Sequence, residues 1–342
     1  MRQLLVSAWK QRGVLALMLW PVSVVFGGLT AIRTFLYRQG RLTVHRLGVP
    51  VVVVGNVVAG GAGKTPVVMA LVQHLQSRGL KAGVVSRGYG RHSDDCREVL
   101  ADSSATDAGD EPILIKRRTG VPVFVATARV DAARALMRRY PDVEMIVCDD
   151  GLQHHGLHRD IEICVFDERG TGNGFLLPAG PLREPWPRPT DLVLAPGNLQ
   201  TIQGFSLRRE LADEARRSDG TAVALKDLCG PDERTGSRLW AVAGIAQPEI
   251  FFAMLRARGL QLARAVALPD HAEFDGPEWT DAVNQILLCT EKDAVKLWRY
   301  RPDALAVPLV LQIEPAFWNA FNGLLLAATE AKLSSVHGHT TS

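Results

Sequence analysis

A chain of 342 residues exceeds one ordinary core and fits two domains; with 47% hydrophobic and 22% charged residues it is globular, neither disordered nor polytopic in a membrane. A net charge of +3 is too small to mark a phosphate-tracking surface, so nucleic acid is set aside as a partner. The cysteines Cys96, Cys148, Cys164, Cys229 and Cys289 form no C-x-x-C pair and read as thiols of a reducing compartment.

The chain opens with an uncharged run, Gly13 to Ile32, which matches the ~20 residues needed to cross a hydrocarbon core. Pro21 and Gly27-Gly28 weaken a straight spanning helix, and Arg2, Lys10 and Arg12 before the run, with Arg33, Arg38, Arg41 and Arg46 after it, blur the topology signal. The run is long for a signal peptide, so residues 1–40 are expected to be a membrane-associated helical segment, whether spanning or lying on the bilayer. A buried helix packed on the catalytic domain is compatible with the same residues.

Val51-Val52-Val53-Val54 has the composition of a parallel strand buried on both faces. It leads into Gly55-Asn56-Val57-Val58-Ala59-Gly60-Gly61-Ala62-Gly63-Lys64-Thr65-Pro66, and then Val67 to Arg78 has helical spacing. Strand, glycine loop and helix in this order form a phosphate cradle, in which loop amides and a helix N-terminus face an anion. Residues Val58 to Thr65 are the expected nucleoside-triphosphate contacts, with Lys64 on the β- and γ-phosphates and the Thr65 hydroxyl on magnesium. Val58 stands where the general motif has its first glycine.

Two further apolar strands end in polar clusters. Ala82 to Val85 precedes Ser86-Arg87-Gly88-Tyr89-Gly90-Arg91, and Met145 to Cys148 precedes Asp149-Asp150-Gly151-Leu152-Gln153-His154-His155. Ligands of doubly wound α/β sheets gather at such carboxyl ends, so these clusters should share one crevice. An aspartate there is the usual second support for magnesium; which of Asp149 and Asp150 plays that part is open in the sequence. Asp110, after Gly109, reads equally as a helix N-cap. His271, after Leu268-Pro269-Asp270, reads first as a structural histidine. Residues 239–313 alternate again: Leu239 to Val242, helical Pro248 to Arg258, Ala263 to Leu268, helical Pro277 to Gln285, Ile286 to Cys289, a helical run, then Ala306 to Ile313. The region from Gly204 to Gly236 is charged and irregular, Ala316 to Lys332 is helical, and the last residues are a tail.

With Gly63-Lys64-Thr65-Pro66, Ser86-Arg87-Gly88-Tyr89-Gly90, Gly109-Asp110-Glu111-Pro112, Asp149-Asp150-Gly151-Leu152-Gln153-His154, Leu177 to Glu184, Gly244-Ile245, Pro269-Asp270-His271 and Thr290 to Lys296 in this order, the chain resembles the tetraacyldisaccharide 4′-kinase family of lipid A biosynthesis. The family's loop also lacks a glycine at the place of Val58; Ala246 and Ala272 depart mildly from its pattern. The resemblance implies transfer of the ATP γ-phosphate to the 4′-hydroxyl of tetraacyldisaccharide 1-phosphate, with ATP and Mg2+ required, at the cytoplasmic face of a Gram-negative inner membrane and with no obligate protein partner.

The implied fold is α/β, a P-loop NTPase-like doubly wound sheet over residues 41–205 with a smaller C-terminal α/β domain over 237–314. A junction spans 206–236 and contains extended linker strands, a helix over 315–332 packs back, and a tail covers 333–342. By resemblance, Asp110 and His271 act as a cooperating base pair. Asp149 and Lys64 are catalytic, Thr65, Asp150 and Glu184 support the metal, and Gln153, His154 and Arg183 hold the sugar or its 1-phosphate. The competing class is a membrane-linked ATPase or GTPase switch. Ala59 replaces the lysine many such ATPases carry before the paired glycines, and Thr290-Glu291-Lys292-Asp293 only approaches a guanine signature.

Overall fold

The computed structural model describes residues 8–61, 63–199, 201–229, 239–276, 279 and 285–337. Among them the strands form two sheets, of nine and six. The first opens with β1 (Val51–Gly55), α2 (Lys64–Ser77), β2 (Ala82–Ser86), β3 (Arg97–Glu98), α3 (Ala105–Ala108), α4 (Asp110–Thr119), β4 (Val123–Val125), α5 (Arg129–Arg139), β5 (Met145–Asp149), β6 (Ile161–Val165), β7 (Leu192–Ala195) and β8 (Phe205–Leu211). Its order is β15-β8-β7-β6-β1-β5-β2-β4-β3, parallel except for the edge strands β3 and β15 (Leu309–Ile313). β1 lies between β5 and β6, buried along its whole length, which is why it is valine on both faces. Val52 and Val54 pack with α2 and α4, whereas Val51 and Val53 face the side of α5, the two-residue alternation of a pleated strand.

The chain leaves β1 toward β2 and later returns past it to β6, so the sheet reverses direction beside β1. The carboxyl ends of β1, β2 and β5 therefore open on one crevice.

The second sheet has the order β10-β9-β14-β13-β11-β12, built from β9 (Glu214–Arg216), β10 (Ala222–Ala224), β11 (Leu239–Ala243), β12 (Arg264–Ala267), β13 (Ile286–Thr290) and β14 (Leu305–Val307). α6 (Pro248–Ala257) buries Phe251, Phe252 and Leu255 on one face, and α7 (Glu291–Leu297) buries Ala294 and Leu297 on the other. The expected helix at 277–285 falls largely outside the described residues.

Two sequence expectations are corrected at the junction. The stretch from Gly204, read from its residues as charged and irregular, carries strands among its described residues, as the resemblance implied. β8 buries Leu207 and Leu211 on one face with the largely buried Arg209 between them, then the chain crosses to β9 in the other sheet. The run Ala306 to Ile313 is two strands: Pro308, which has no N–H for a ladder, separates β14 in the second sheet from β15 in the first. The two crossings touch where Ala212 N–H donates to Pro308 O at 2.9 Å.

Both ends of the chain are helical. α1 (Val14–Arg38) is unbroken through Pro21, against the expected weakening. Gly27 is a packing position instead, where an added Cβ would meet Leu176 at 2.7 Å. α1 buries Ala16 and Ser23 but leaves Val14, Met18, Val25 and Leu29 more than 60% exposed, and it is long and apolar enough to cross a membrane. α8 (Pro315–His337) instead buries Phe317, Phe321 and Leu325 against the first sheet, and it runs beyond the expected end at Lys332.

Candidate active site

The loop after β1 is shaped by its own side chains and by two distant arginines. Asn56 is fully buried; its Nδ2 donates to Val58 O at 2.6 Å and its Oδ1 accepts from Lys64 Nζ at 3.3 Å. Val58 is buried and paired with Leu182, which explains an apolar residue where the general motif has glycine. Gly63 has φ +71 and caps α2 with no side-chain acceptor, so the first amides of α2 remain for an anion. Arg169 donates to Ala59 O and Gly61 O at 3.2 Å each, and the Arg209 guanidinium lies 2.9 Å from where a Gly63 Cβ would stand. Lys64 and Thr65 are buried at the start of α2; Ala62 lies outside the described residues.

At the end of β5 the two aspartates separate. Asp149 is 1% exposed and Ser86 Oγ donates to its Oδ2 at 3.4 Å, while its Oδ1 has no hydrogen-bond partner among the described residues. Burial, then the charges of Glu111 and Asp150, push this carboxyl well above the usual range. Asp150, at φ +48, turns outward to Arg183 at 3.1 Å and Lys64 at 3.6 Å. Burial acts to raise its pKa, but Lys64, Arg183 and Arg129 outweigh it and hold it low.

Gln153 joins this network, donating to Asn56 O at 3.0 Å and Glu184 Oε1 at 2.6 Å and accepting from Arg183. Glu184 also pairs with Arg188 at 3.4 Å. His154 lies toward α1; burial, then Arg129, Arg159 and Arg33, lower it to about 4, so its ring is neutral at pH 7. The structure therefore brings Lys64, Asp150, Gln153, Arg183 and Glu184 into one chain of contacts, with His154 at its margin.

The second sheet supplies the opposite wall. Ala246, in the loop after β11, comes within 3.4 Å of where a Gly61 Cβ would stand, and Gln247 donates to Asp167 at 3.1 Å. His271, at φ +67, places Nδ1 3.0 Å from Asp110 Oδ2, across the lobes. Asp110 is 4% exposed at the start of α4; Gly109 caps that helix, while Asp110 Oδ1 accepts from Glu111 N–H. Burial acts to raise Asp110, yet His271, Lys292 and Lys296 hold it below the usual carboxylate range. The hydrogen bond to Asp110 in turn raises His271 against its burial.

Sequence reasoning gave no role to Asn56, Arg169, Arg209 or Lys292. Neither Arg209, between Leu207 and Leu211 on the same face of β8, nor Arg169, in a loop, had a signal in the sequence.

A family model described as tetraacyldisaccharide-1-P 4′-kinase matches residues 15–329. The tetraacyldisaccharide 4′-kinase of Acidovorax sp. (strain JS42) is 54% identical over 327 residues, 95% of each chain. That of Polaromonas naphthalenivorans is 52% identical over 350 residues, covering both chains fully. A crystal structure of "apo" form LpxK from Aquifex aeolicus in complex with ATP superposes with a TM-score of 0.78 at 29% identity, covering 92% of this chain and 100% of that one.

Proposed function

Because the chain belongs to the tetraacyldisaccharide 4′-kinase family, we propose that its crevice performs the family's reaction through the residues just described. The protein is an ATP-dependent lipid kinase. It transfers the γ-phosphate of ATP to the 4′-hydroxyl of tetraacyldisaccharide 1-phosphate, giving lipid IVA in lipid A biosynthesis. Family membership sets the nucleotide-switch alternative aside.

The loop amides, Lys64 and the start of α2 hold the triphosphate. Arg169 braces that loop through Ala59 O and Gly61 O, and Arg209 packs against Gly63, which keeps the loop amides aimed before the nucleotide arrives. The residues fit a magnesium ion: the buried Asp149 Oδ1 lacks a donor among the described residues, and Thr65 opens α2 just past the cradle. When bound, magnesium neutralises charge on the β- and γ-phosphates. Thr65, Glu184 and Asp149 would hold it. Asp150 was expected in that set, but its two cationic partners suit it better to orienting Lys64 and Arg183. Arg183, Gln153 and the neutral His154 face the acceptor, where a guanidinium fork matches a sugar phosphate.

The observation that carries the reading is the 3.0 Å pair between Asp110 and His271, made only because the two lobes meet. Both ring nitrogens of His271 are engaged, Nδ1 by Asp110 and Nε2 by Lys292, whereas each Asp110 oxygen accepts one bond and keeps a second lone pair, so Asp110 is the better placed proton acceptor. As the 4′-oxygen bonds to the γ-phosphorus, its proton passes to the Asp110 carboxylate, the bond to the β–γ bridging oxygen breaks, and ADP leaves. α1 keeps the acyl chains at the cytoplasmic face of a Gram-negative inner membrane while the sugar enters the crevice.

The test is detergent-solubilised protein with γ-labelled ATP, magnesium and tetraacyldisaccharide 1-phosphate, beside Lys64→Ala and Asp110→Ala. Label on the lipid, absent in both folded variants, is expected. Label on the lipid undiminished by Asp110→Ala would remove Asp110 from the reaction.

A further inference from the structure

His271 is held more completely than a histidine that merely lines a wall. Its N–H donates to Gly244 O at 3.1 Å and its carbonyl accepts from Lys296 Nζ at 3.0 Å, and these two bonds support a left-handed backbone that a side-chain-bearing residue otherwise avoids. Gly244 is anchored in turn, its N–H donating to Asp293 Oδ2 at 3.1 Å. The ring is as constrained as the backbone. Nδ1 meets Asp110, Tyr89 lies against the ring at 5.0 Å between centroids, and Lys292 Nζ stands 3.4 Å from Nε2.

Lys292 is 15% exposed and is shared by acceptors of both lobes, Asp270 Oδ1 at 3.1 Å and Glu111 Oε1 at 3.2 Å. Burial acts to lower its pKa, but Glu111, Asp110 and Asp270 overcome that and raise it, so it is an ammonium at any working pH. An ammonium donates and never accepts, so a ring nitrogen that faces it must present a lone pair. A neutral imidazole has a single N–H, which is then left on Nδ1, directed at Asp110. Asp270 Oδ1, 3.7 Å from Nε2, would favour the opposite tautomer. It is farther away and already accepts from Lys292, so the ammonium prevails.

Resting on the Asp110 and His271 assignment above, we propose that Lys292 is a positioning residue which sets the tautomer of His271, keeping its proton on Nδ1 so that Asp110 is held as an aligned carboxylate. The groups facing the ring are Asp110 and Glu111 from α4, Asp270 beside it, Lys292 and Lys296 from α7, and Tyr89 from the loop after β2. Among the described residues, Lys292 is the one that reaches Nε2 with a donor. It also repels a second proton there, so its charge keeps His271 neutral to lower pH than Asp110 alone would allow.

The test uses full-length protein in detergent with 15N-labelled histidine, comparing wild type, Lys292→Met, Lys292→Arg and His271→Ala. In the wild type above the His271 pKa, a protonated Nδ1 and a lone-pair Nε2 are expected. In Lys292→Met the lone-pair signal should be lost or mixed, and the acidic limb of kcat should move to higher pH, because removing a positive charge eases protonation. kcat should fall about 10- to 100-fold, short of the roughly 10⁴ that a wrong histidine tautomer costs in a serine-protease triad. KM for ATP and lipid should stay within about twofold, and Lys292→Arg should restore most of the rate. If Lys292→Met does not fold, Glu111→Gln, which loosens the ammonium, should show the same mixing of tautomers in weaker form, with the acidic limb moved the opposite way because a negative charge is removed. An unchanged His271 spectrum and pH limb in a folded variant, with His271→Ala impaired, overturns the proposal alone. Full activity in His271→Ala overturns the underlying assignment with it.

Discussion

The two sheets present loops to the same crevice but hold their functional groups differently. In the first, Lys64, Asp150, Arg183, Gln153 and Glu184 are held by one another and by Asn56, all within a single lobe. In the second, His271 has its backbone fixed by its own lobe, through Gly244 and Lys296, but directs its ring at Asp110 in the other. A nucleotide site can therefore exist on the first lobe alone. Proton transfer as proposed above needs both.

The largest effect is expected from Asp110→Asn, which leaves the cradle whole and removes the proposed proton acceptor. kcat should fall by about 10²- to 10⁴-fold, with ATP affinity within about twofold by equilibrium binding. Loss of ATP binding there would break the division between lobes. Lys64→Ala should act on the other side of it, reducing transfer by about 10²- to 10³-fold and weakening ATP binding together.

A third effect sharpens the contrast through pH. The lowered pKa of Asp110 means that its contribution is present above 3.8 and lost as pH falls through the lowered value. The raised pKa of His271 means that its contribution is present below 6.5 and lost as pH rises through the raised value. Attraction between the lobes should thus be complete between pH 3.8 and 6.5. The difference in Tm between wild type and His271→Ala should be largest in that window and shrink at pH 9; a constant difference would place the His271 pKa at its ordinary value.

The smallest effect lies within the second lobe. Burial lifts Asp293 to about 6 from 3.8, so the folded state binds its proton more tightly than the unfolded one. Stability should fall as pH rises from 3.8 to about 6, and Asp293→Asn should remove that slope in a Tm series while Gly244 keeps an acceptor. Parallel slopes would place the Asp293 pKa near its ordinary value.

Legibility followed locality. Gly63, Lys64 and Thr65 could be read directly because a phosphate cradle is made of consecutive residues between a strand and a helix. The approach of Asp110 to His271, 161 positions apart, has no spacing that reveals it, and only resemblance to a family joined them. Arg169 and Arg209 were missed because a charged residue on a loop or strand gives no local sign of which loop it will brace. β8 was read as irregular since Arg208, Arg209 and Glu210 hid its alternation of buried leucines, and one proline divided an apolar run between two sheets. Hydropathy likewise marked both terminal helices without showing that α8 spends its phenylalanines on the core and α1 does not.

The buried Ser23 of α1 donates to Leu176 O at 2.8 Å and accepts from Ala179 N–H at 2.9 Å. A few residues on, Pro181 O accepts from Ala59 N–H, and Arg183 N–H donates to Val57 O, each at 2.7 Å. The apolar helix and the phosphate loop are thus opposite ends of one short hydrogen-bonded strut. Were α1 seated in lipid, that strut would set the standoff between the bilayer and the phosphate loop, and selection would become a matter of reach: a head group of the right height would meet the loop while its chains stayed in the membrane.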